Sequence, residues 1–342
     1  MFAYVGGYTT VDRNGHGDGI NVYRIDAPDG PWVHLHHVES FDNPSFLRIS
    51  PDGRTLFAAH GGRDCVSAYT IDLISGDLRL INRVGSGGDN PVDLGFDAEG
   101  RTLVVAHYSS GTVSVMPIAG DGALAEPSQV LHLSGKLAAL PHGVTPDASG
   151  RFVVVPDKGL DLVFVYRFEA GVLRETCAAA TAPGAGPRHA AFHPRLDVLY
   201  VINELDSCVQ SFRWHEGVLV ALQSVSGLPA GVVNSFASEI AVAACGSTLY
   251  TSNRGHDSIS RFSIDGDGLL TFCDCTPIQG REPRFFVLDP SGDFLHVGNQ
   301  ATDAIVTFRI DAADGRLHDG RVTVQVGTPT AICFLPSSAS QI

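Results

Sequence analysis

The chain has 342 residues, 44% of them hydrophobic and 18% charged, with 38 Gly, 19 Pro and a net charge of −14. The apolar fraction suffices for a sizeable core, and the abundance of Gly and Pro favours short strands and tight turns over long helices. The acidic balance, with no basic run, speaks against a nucleic-acid partner, and no apolar stretch approaches the ~18 residues of a membrane-spanning helix.

The opening stretch, "MFAYVGGYTT", enters a strand at once. It lacks the basic segment and apolar core of a secretion signal, so a cytoplasmic location is expected. Seven Cys, at positions 65, 177, 208, 245, 273, 275 and 333, are an odd number without framework spacing. They read as reduced, mostly buried thiols in that compartment. Cys273 and Cys275 would share one face of a strand, but a zinc site needs a second such pair and the chain has none.

Further along, one pattern recurs. "PSFLRISPDGRTLFAAHG" starts at Pro44, "PVDLGFDAEGRTLVVAHY" at Pro91 and "PHGVTPDASGRFVVVPDK" at Pro141. "PRHAAFHPRLDVLYVINE" follows from Pro187, "ASEIAVAACGSTLYTSNR" from Ala237, "PRFFVLDPSGDFLHVGNQ" from Pro283 and "PTAICFLPS" from Pro329. The starts are 46 to 50 residues apart, which marks a repeat array. Each unit reads as two apolar strands around a tight turn, a third alternating strand such as "CVSAYTID", and a weaker fourth. Four-stranded units of this length predict an all-β fold, a β-propeller. The last unit stops after one strand, whereas the N-terminus begins at what would be a second strand, "FAYVGGYT", followed by "INVYRID". Joined, they complete a seventh blade, so the ring is closed by N- and C-terminal strands in one blade and leaves no long open edge. The expectation is a single seven-bladed domain over residues 1–342, with four antiparallel strands per blade.

In such a ring the start of each first strand and the end of each second strand emerge at one rim. One residue after the unit starts stand Ser45, Val92, His142, Arg188, Ser238, Arg284 and Thr330. Phe46, Asp93, Gly143, His189, Glu239, Phe285 and Ala331 come next. The second strands end in His60–Gly61, His107–Tyr108, Asp157–Lys158, Asn203–Glu204, Asn253–Arg254, Asn299–Gln300 and Gly7–Tyr8. Polar groups that differ from blade to blade around one axis suit an asymmetric ligand; the plainer reading is a set of solvated loop ends.

Arg188, Arg254 and Arg284 carry planar forks that grip a carboxylate or phosphate bidentately, so an anionic substrate is expected despite the acidic chain. His142 can serve as an acid or base near neutral pH. Glu204 can be oriented by Arg188 or take a proton itself. Together they suit attack of water on an ester-like carbonyl, with arginine stabilising the oxyanion. His142, Glu204, Arg188 and Arg254 are therefore the catalytic candidates. Arg284, His189, Asn203, Asn253, Asn299, Gln300, Lys158, His107 and His60 are the substrate-binding candidates. "HLHH" over residues 34–37 sits in an outer strand without a carboxylate partner, and no G-x-S-x-G elbow is present.

The stretches "PHGV", "GPRHAAFHP", "LYVINE", "SNRGHDSISRFSID" and "GNQATDAIVTFRID" resemble the lactonase family of seven-bladed propellers, and the resemblance covers essentially the whole chain. That family includes propeller-type 6-phosphogluconolactonases and a fungal carboxy-cis,cis-muconate cyclase. In the cyclase a His, two Arg and a Glu are the proposed active-site set, which by motif are His142, Arg188, Arg254 and Glu204 here. The resemblance implies hydrolysis of an anionic sugar-acid lactone. The alternatives within the family are a lactonase for an aldaric or uronic-acid-derived lactone and a lactonizing cycloisomerase of the carboxymuconate type. Lys158 is the one lysine near the rim, which leaves recognition of a distal phosphate open. No cofactor or metal is expected, since the set is too poor in carboxylates for a calcium site. The expected partner is a small-molecule anionic lactone, bound by a monomer or weak dimer that engages neither nucleic acid nor membrane. A non-catalytic propeller binding module is the alternative from another class.

Overall fold

The computed structural model describes residues 1–27, 29–169 and 171–335. Among the described residues, twenty-eight strands form seven four-stranded antiparallel sheets arranged as the blades of a propeller. Blades 1 to 6 take residues 44–85, 91–132, 145–180, 187–226, 236–277 and 283–325 in chain order. Blade 7 is made from both ends of the chain. Its innermost strand is Pro329–Leu335, which pairs with Phe2–Gly7 and is followed by Ile20–Arg24 and Val33–Val38. The first strands of neighbouring blades touch one another around the axis and so line a central channel.

The second strands are buried along their whole length in Thr55–His60, Thr102–His107, Phe152–Asp157, Val198–Asn203 and Phe294–Asn299. A half-exposed strand would alternate apolar and polar residues; a strand covered on both faces reads as a continuous apolar run. Both faces are covered here because each blade packs between two others. In Thr102–His107, Leu103 and Val105 pack with Phe57 of blade 1, while Val104 and Ala106 pack with Val153 and Val155 of blade 3. Seven such apolar clusters bridge the seven blade-to-blade contacts, including that between blades 7 and 1. Each fully buried Val or Leu contributes about 1.5–3 kcal/mol, so the ring is held mainly by these layers.

Tyrosine hydroxyls add polar staples across three of the contacts. Tyr4 donates to the Gly76 carbonyl at 3.0 Å, Tyr200 to that of Gly268 at 2.9 Å and Tyr250 to that of Gly315 at 2.6 Å. All three glycines have φ between 74° and 81°, a left-handed conformation that a side chain would strain.

Blade 3 departs from the repeat. Its innermost strand shrinks to Thr145–Pro146, and Pro141 makes only an isolated bridge to Asp157. Prolines at 141 and 146 remove two ladder donors, and Gly143 weakens what lies between. The segment around His142 is therefore free of regular pairing, apart from the His142 N–H bond to the Pro156 carbonyl at 3.0 Å.

Candidate active site

The innermost strands of blades 1, 2, 4 and 6 begin with proline, which has no N–H to give to the ladder. Their register slips between Pro44 and Phe46, Pro91 and Asp93, Pro187 and His189, and Pro283 and Phe285. Blade 5 slips between Ala237 and Ile240. A bulge leaves its extra residue unpaired and re-aims the side chain. The extra residues include Arg188, Arg284, Ser238 and Glu239, so local backbone chemistry turns these groups toward the axis at one end of the channel.

Arg188 is 3% exposed. Its Nε lies 3.1 Å from Glu204 Oε2, and its Nη1 donates to the Ser238 carbonyl and approaches His189 Nε2 at 3.2 Å. Glu204 also accepts from Lys158 Nζ at 2.6 Å, and Arg254 Nη2 stands 3.3 Å from its Oε2. One carboxylate thus gathers three cations. Arg284 has no carboxylate within salt-bridge distance among the described residues; its guanidinium lies 5.4 Å from the centre of the Tyr8 ring, as Arg13 does at 5.6 Å. His142 stacks edge-on against Tyr108 and bonds through Nδ1 to His189 Nε2 at 3.1 Å. On its other side His189 Nδ1 meets both Glu239 oxygens, at 2.9 and 3.0 Å. His142 Nε2 has no hydrogen-bond partner among the described residues and is not sealed from solvent.

Electrostatics follow from crowding. Burial pushes the Glu204 carboxyl up, but Arg188, Arg254 and Lys158 overcome this and hold its pKa at about 2. Burial, with repulsion from Arg254 and Arg284, brings Arg188 down to about 9. Burial and the charges of Arg188 and Arg284 hold His142 well below the usual imidazole range. At neutral pH the site therefore presents a neutral His142, an ionised Glu204 and a surplus of positive charge.

The pairs expected at the ends of the second strands are divided by strand alternation. The second members Tyr108, Lys158, Glu204 and Arg254 gather about the pocket. The first members turn into their own blades. His60 is bound by the Asp42 carbonyl and Ser67 Oγ, both at 2.8 Å, and His107 by the Thr112 carbonyl at 3.3 Å. Burial lowers both to about 4, so each is a neutral structural group. Asn253 donates to Ser258 and Ser260, Asn299 to the Ile278 carbonyl, and Asn203 is 1% exposed beneath the rim. Gln300 opens a short 3-10 turn and is half-buried. Tyr108, Glu239 and Arg13 join the pocket without having been singled out. The first two stand in equivalent register positions, and only the changed residue type at those positions signals them. Arg13 lies in a loop outside the repeat and leaves no such trace.

Comparison with known proteins places this geometry. The family profile described as "Lactonase, 7-bladed beta-propeller" matches residues 2–334. A 6-phosphogluconolactonase of Bacillus subtilis is 34% identical, with 97% of each chain covered, and one of Formosa agariphila is 31% identical, covering 92% of this chain and 94% of that one. Among solved structures, a periplasmic gluconolactonase of Pseudomonas aeruginosa superposes with a TM-score of 0.91 at 33% identity, covering 98% of this chain and 99% of that chain. A second, a putative 6-phosphogluconolactonase of Bacteroides fragilis, gives 0.90 at 29% identity with 98% of each covered. The chain belongs to the lactonase family of seven-bladed β-propellers.

Proposed function

We propose that the protein hydrolyses an anionic sugar-acid lactone of the 6-phosphogluconolactone class. The observation that carries this reading is the buried surplus of cations around a neutral His142. Arg188, Arg254, Arg284 and Lys158 share the rim with Glu204, so a bound anion completes the charge balance. The relatives named 6-phosphogluconolactonase support the substrate class.

The lactone carbonyl sits against Arg188 and Arg254, whose donors strengthen as the oxygen gains charge in the transition state. His142 removes a proton from the attacking water through Nε2 and returns it to the ring oxygen as the C–O bond breaks. Glu204, held at about 2, is too weak a base for this step; it fixes the arginines and Lys158. Because Lys158 is engaged with Glu204 at 2.6 Å, the distal phosphate or carboxylate falls to Arg284. Run in reverse, the same steps would close a hydroxy acid to its lactone with loss of water, whereas a cycloisomerase of the carboxymuconate type would add a carboxylate oxygen across a C=C bond and protonate the neighbouring carbon. The seven unpaired thiols suit a reducing compartment, so we place the protein in the cytoplasm, although the Pseudomonas aeruginosa gluconolactonase is periplasmic.

The test is acid release over sugar lactones with and without phosphate, and over aldaric and uronic lactones. Turnover with the phosphorylated lactone at a kcat/KM at least ten-fold above gluconolactone is expected. A preference for the uncharged lactone would overturn the assignment of Arg284, and no turnover on any of them would overturn the lactonase reading.

A further inference from the structure

We infer that Glu239 is a positioning residue of this site: acting through His189, it fixes the tautomer of His142 so that an unprotonated Nε2 faces the substrate. The inference rests on the reading of His142 as the base. A guanidinium only donates. Arg188 Nη1 lies 3.2 Å from His189 Nε2, so that nitrogen accepts, and the His189 proton sits on Nδ1. There both oxygens of Glu239 receive it, at 2.9 and 3.0 Å. With His189 Nε2 an acceptor, His142 Nδ1 at 3.1 Å can bond to it only as a donor, sharing the single lone pair with Arg188. A neutral imidazole protonated on Nδ1 carries its lone pair on Nε2, and Nε2 is the nitrogen without a hydrogen-bond partner among the described residues. The chain of hydrogen bonds is thus directed by its two fixed ends, a guanidinium and a carboxylate.

Glu239 also answers an electrostatic difficulty. His142 is faced by Tyr108 from blade 2, by Arg188 and His189 from blade 4 and by Arg284 from blade 6. A proton taken from water would make an imidazolium among arginines. Burial pushes the Glu239 carboxyl up, but the hydrogen bond from His189 and the nearby charge of Arg188 outweigh it and keep the group below the usual carboxylate range, hence ionised. Its charge reaches His142 through the polarised His189 ring. In the step itself the water oxygen bonds to the carbonyl carbon, its proton goes to His142 Nε2, and that proton passes to the ring oxygen when the C–O bond breaks. His189 and Glu239 end as they began.

Asp93 is the informative contrast. It too is a buried carboxylate near the axis, but it accepts from the Val144 and Leu94 N–H groups and from Arg48, with no imidazole in reach of a hydrogen bond among the described residues. Its bonds tie blade 2 to blades 1 and 3, whereas Glu239, which also accepts from the Ile240 N–H, reaches the imidazole of His189. Glu239 and His189 also line the central-channel cavity of about 620 Å³.

Two measurements test this. Nitrogen-15 imidazole spectra of the wild-type protein should show His142 and His189 both protonated on Nδ1. On the best lactone, Glu239→Gln should lose ~10²–10⁴-fold in kcat, the range for losing a correctly poised general base, with KM changed only a few-fold. Its acidic limb should move to lower pH, since the charge supporting protonation of His142 is gone, and Glu239→Asp should recover at least about ten-fold of the loss. A wild-type His142 protonated on Nε2 overturns the inference, as does Glu239→Gln with the wild-type kcat and pH profile. If no lactone is turned over, the lactonase reading fails, while the wild-type spectra still decide the tautomers. If Glu239→Gln does not fold, the spectra and Glu239→Asp decide.

Discussion

Replacing Glu204 by Gln keeps the size and the hydrogen-bonding reach of the side chain and removes only its charge. In the folded protein three cations lie within 3.3 Å of that carboxylate, and its pKa stands at about 2 against an ordinary 4.5. A shift of that size corresponds to roughly 3 kcal/mol. The sign follows from the depressed value: the stabilisation is fully present above about pH 4.5 and is lost as pH falls through about 2. Glu204→Gln should therefore melt roughly 6 °C below wild type at pH 7, taking about 2 °C per kcal/mol for a large domain. The gap should close steadily below pH 4.5. Thermal melts of both proteins across pH 2–8 supply the curve. If the variant melts within a degree of wild type at pH 7, or the gap does not depend on pH, the carboxylate does not neutralise the arginines and Glu204 is better read as a proton carrier.

Arg284→Ala should raise KM for a phosphorylated lactone by about 10- to 100-fold, the worth of one charge-assisted contact, with kcat nearly unchanged; equal loss on gluconolactone would show that Arg284 does not read the distal anion. His142→Ala should lower kcat by ~10²–10⁴ with KM little altered, and wild-type kcat in that variant would remove His142 from the chemistry. Deleting residues 329–342 takes away the innermost strand of blade 7 and uncovers the edge of Phe2–Gly7, so the product should aggregate; a soluble deletion with wild-type melting would refute closure. Hydrolysis should survive exhaustive chelation, because a rim crowded with arginines repels a divalent cation, and a loss of turnover reversed by added metal would contradict this.

The repeat was legible because the physical requirement behind it is strict. A strand sandwiched between blades must be apolar on both faces, and the runs ending at His60, His107 and Asn203 show that requirement directly. Equivalent register positions also pointed to Arg188, Glu204, Arg254 and His142 as neighbours at one rim. What could not be read was orientation. Asn253 and Arg254 are adjacent in sequence, yet alternation sends the first into its blade and the second to the pocket. The slip between Pro187 and His189 is a backbone event, and residue type alone does not reveal it. Nor does the shortened strand of blade 3 announce itself, although its two prolines are its physical cause.

A chain with a net charge of −14 that is built to hold an anion raises a question of range. Many of its carboxylates are engaged locally in turns: Asp72, Asp147, Asp265 and Asp311 each accept from backbone N–H groups within a few residues. At physiological ionic strength exposed charges fade over a Debye length of about 8 Å, so such turns exert little force at the axis. Within the pocket the balance is the reverse. Burial and mutual repulsion lower the pKa of both Arg188 and Arg254, which means the free site holds cations in an unfavourable arrangement that Glu204 offsets only in part. An incoming anion supplies the missing charge in a region of low dielectric, where each contact is stronger than in water. The bulged proline starts make this arrangement possible, since they direct charged side chains inward without breaking the apolar layers between blades. Selectivity for an anionic lactone then resides in residues at the bulges and strand ends, and stability in the seven layers between the blades.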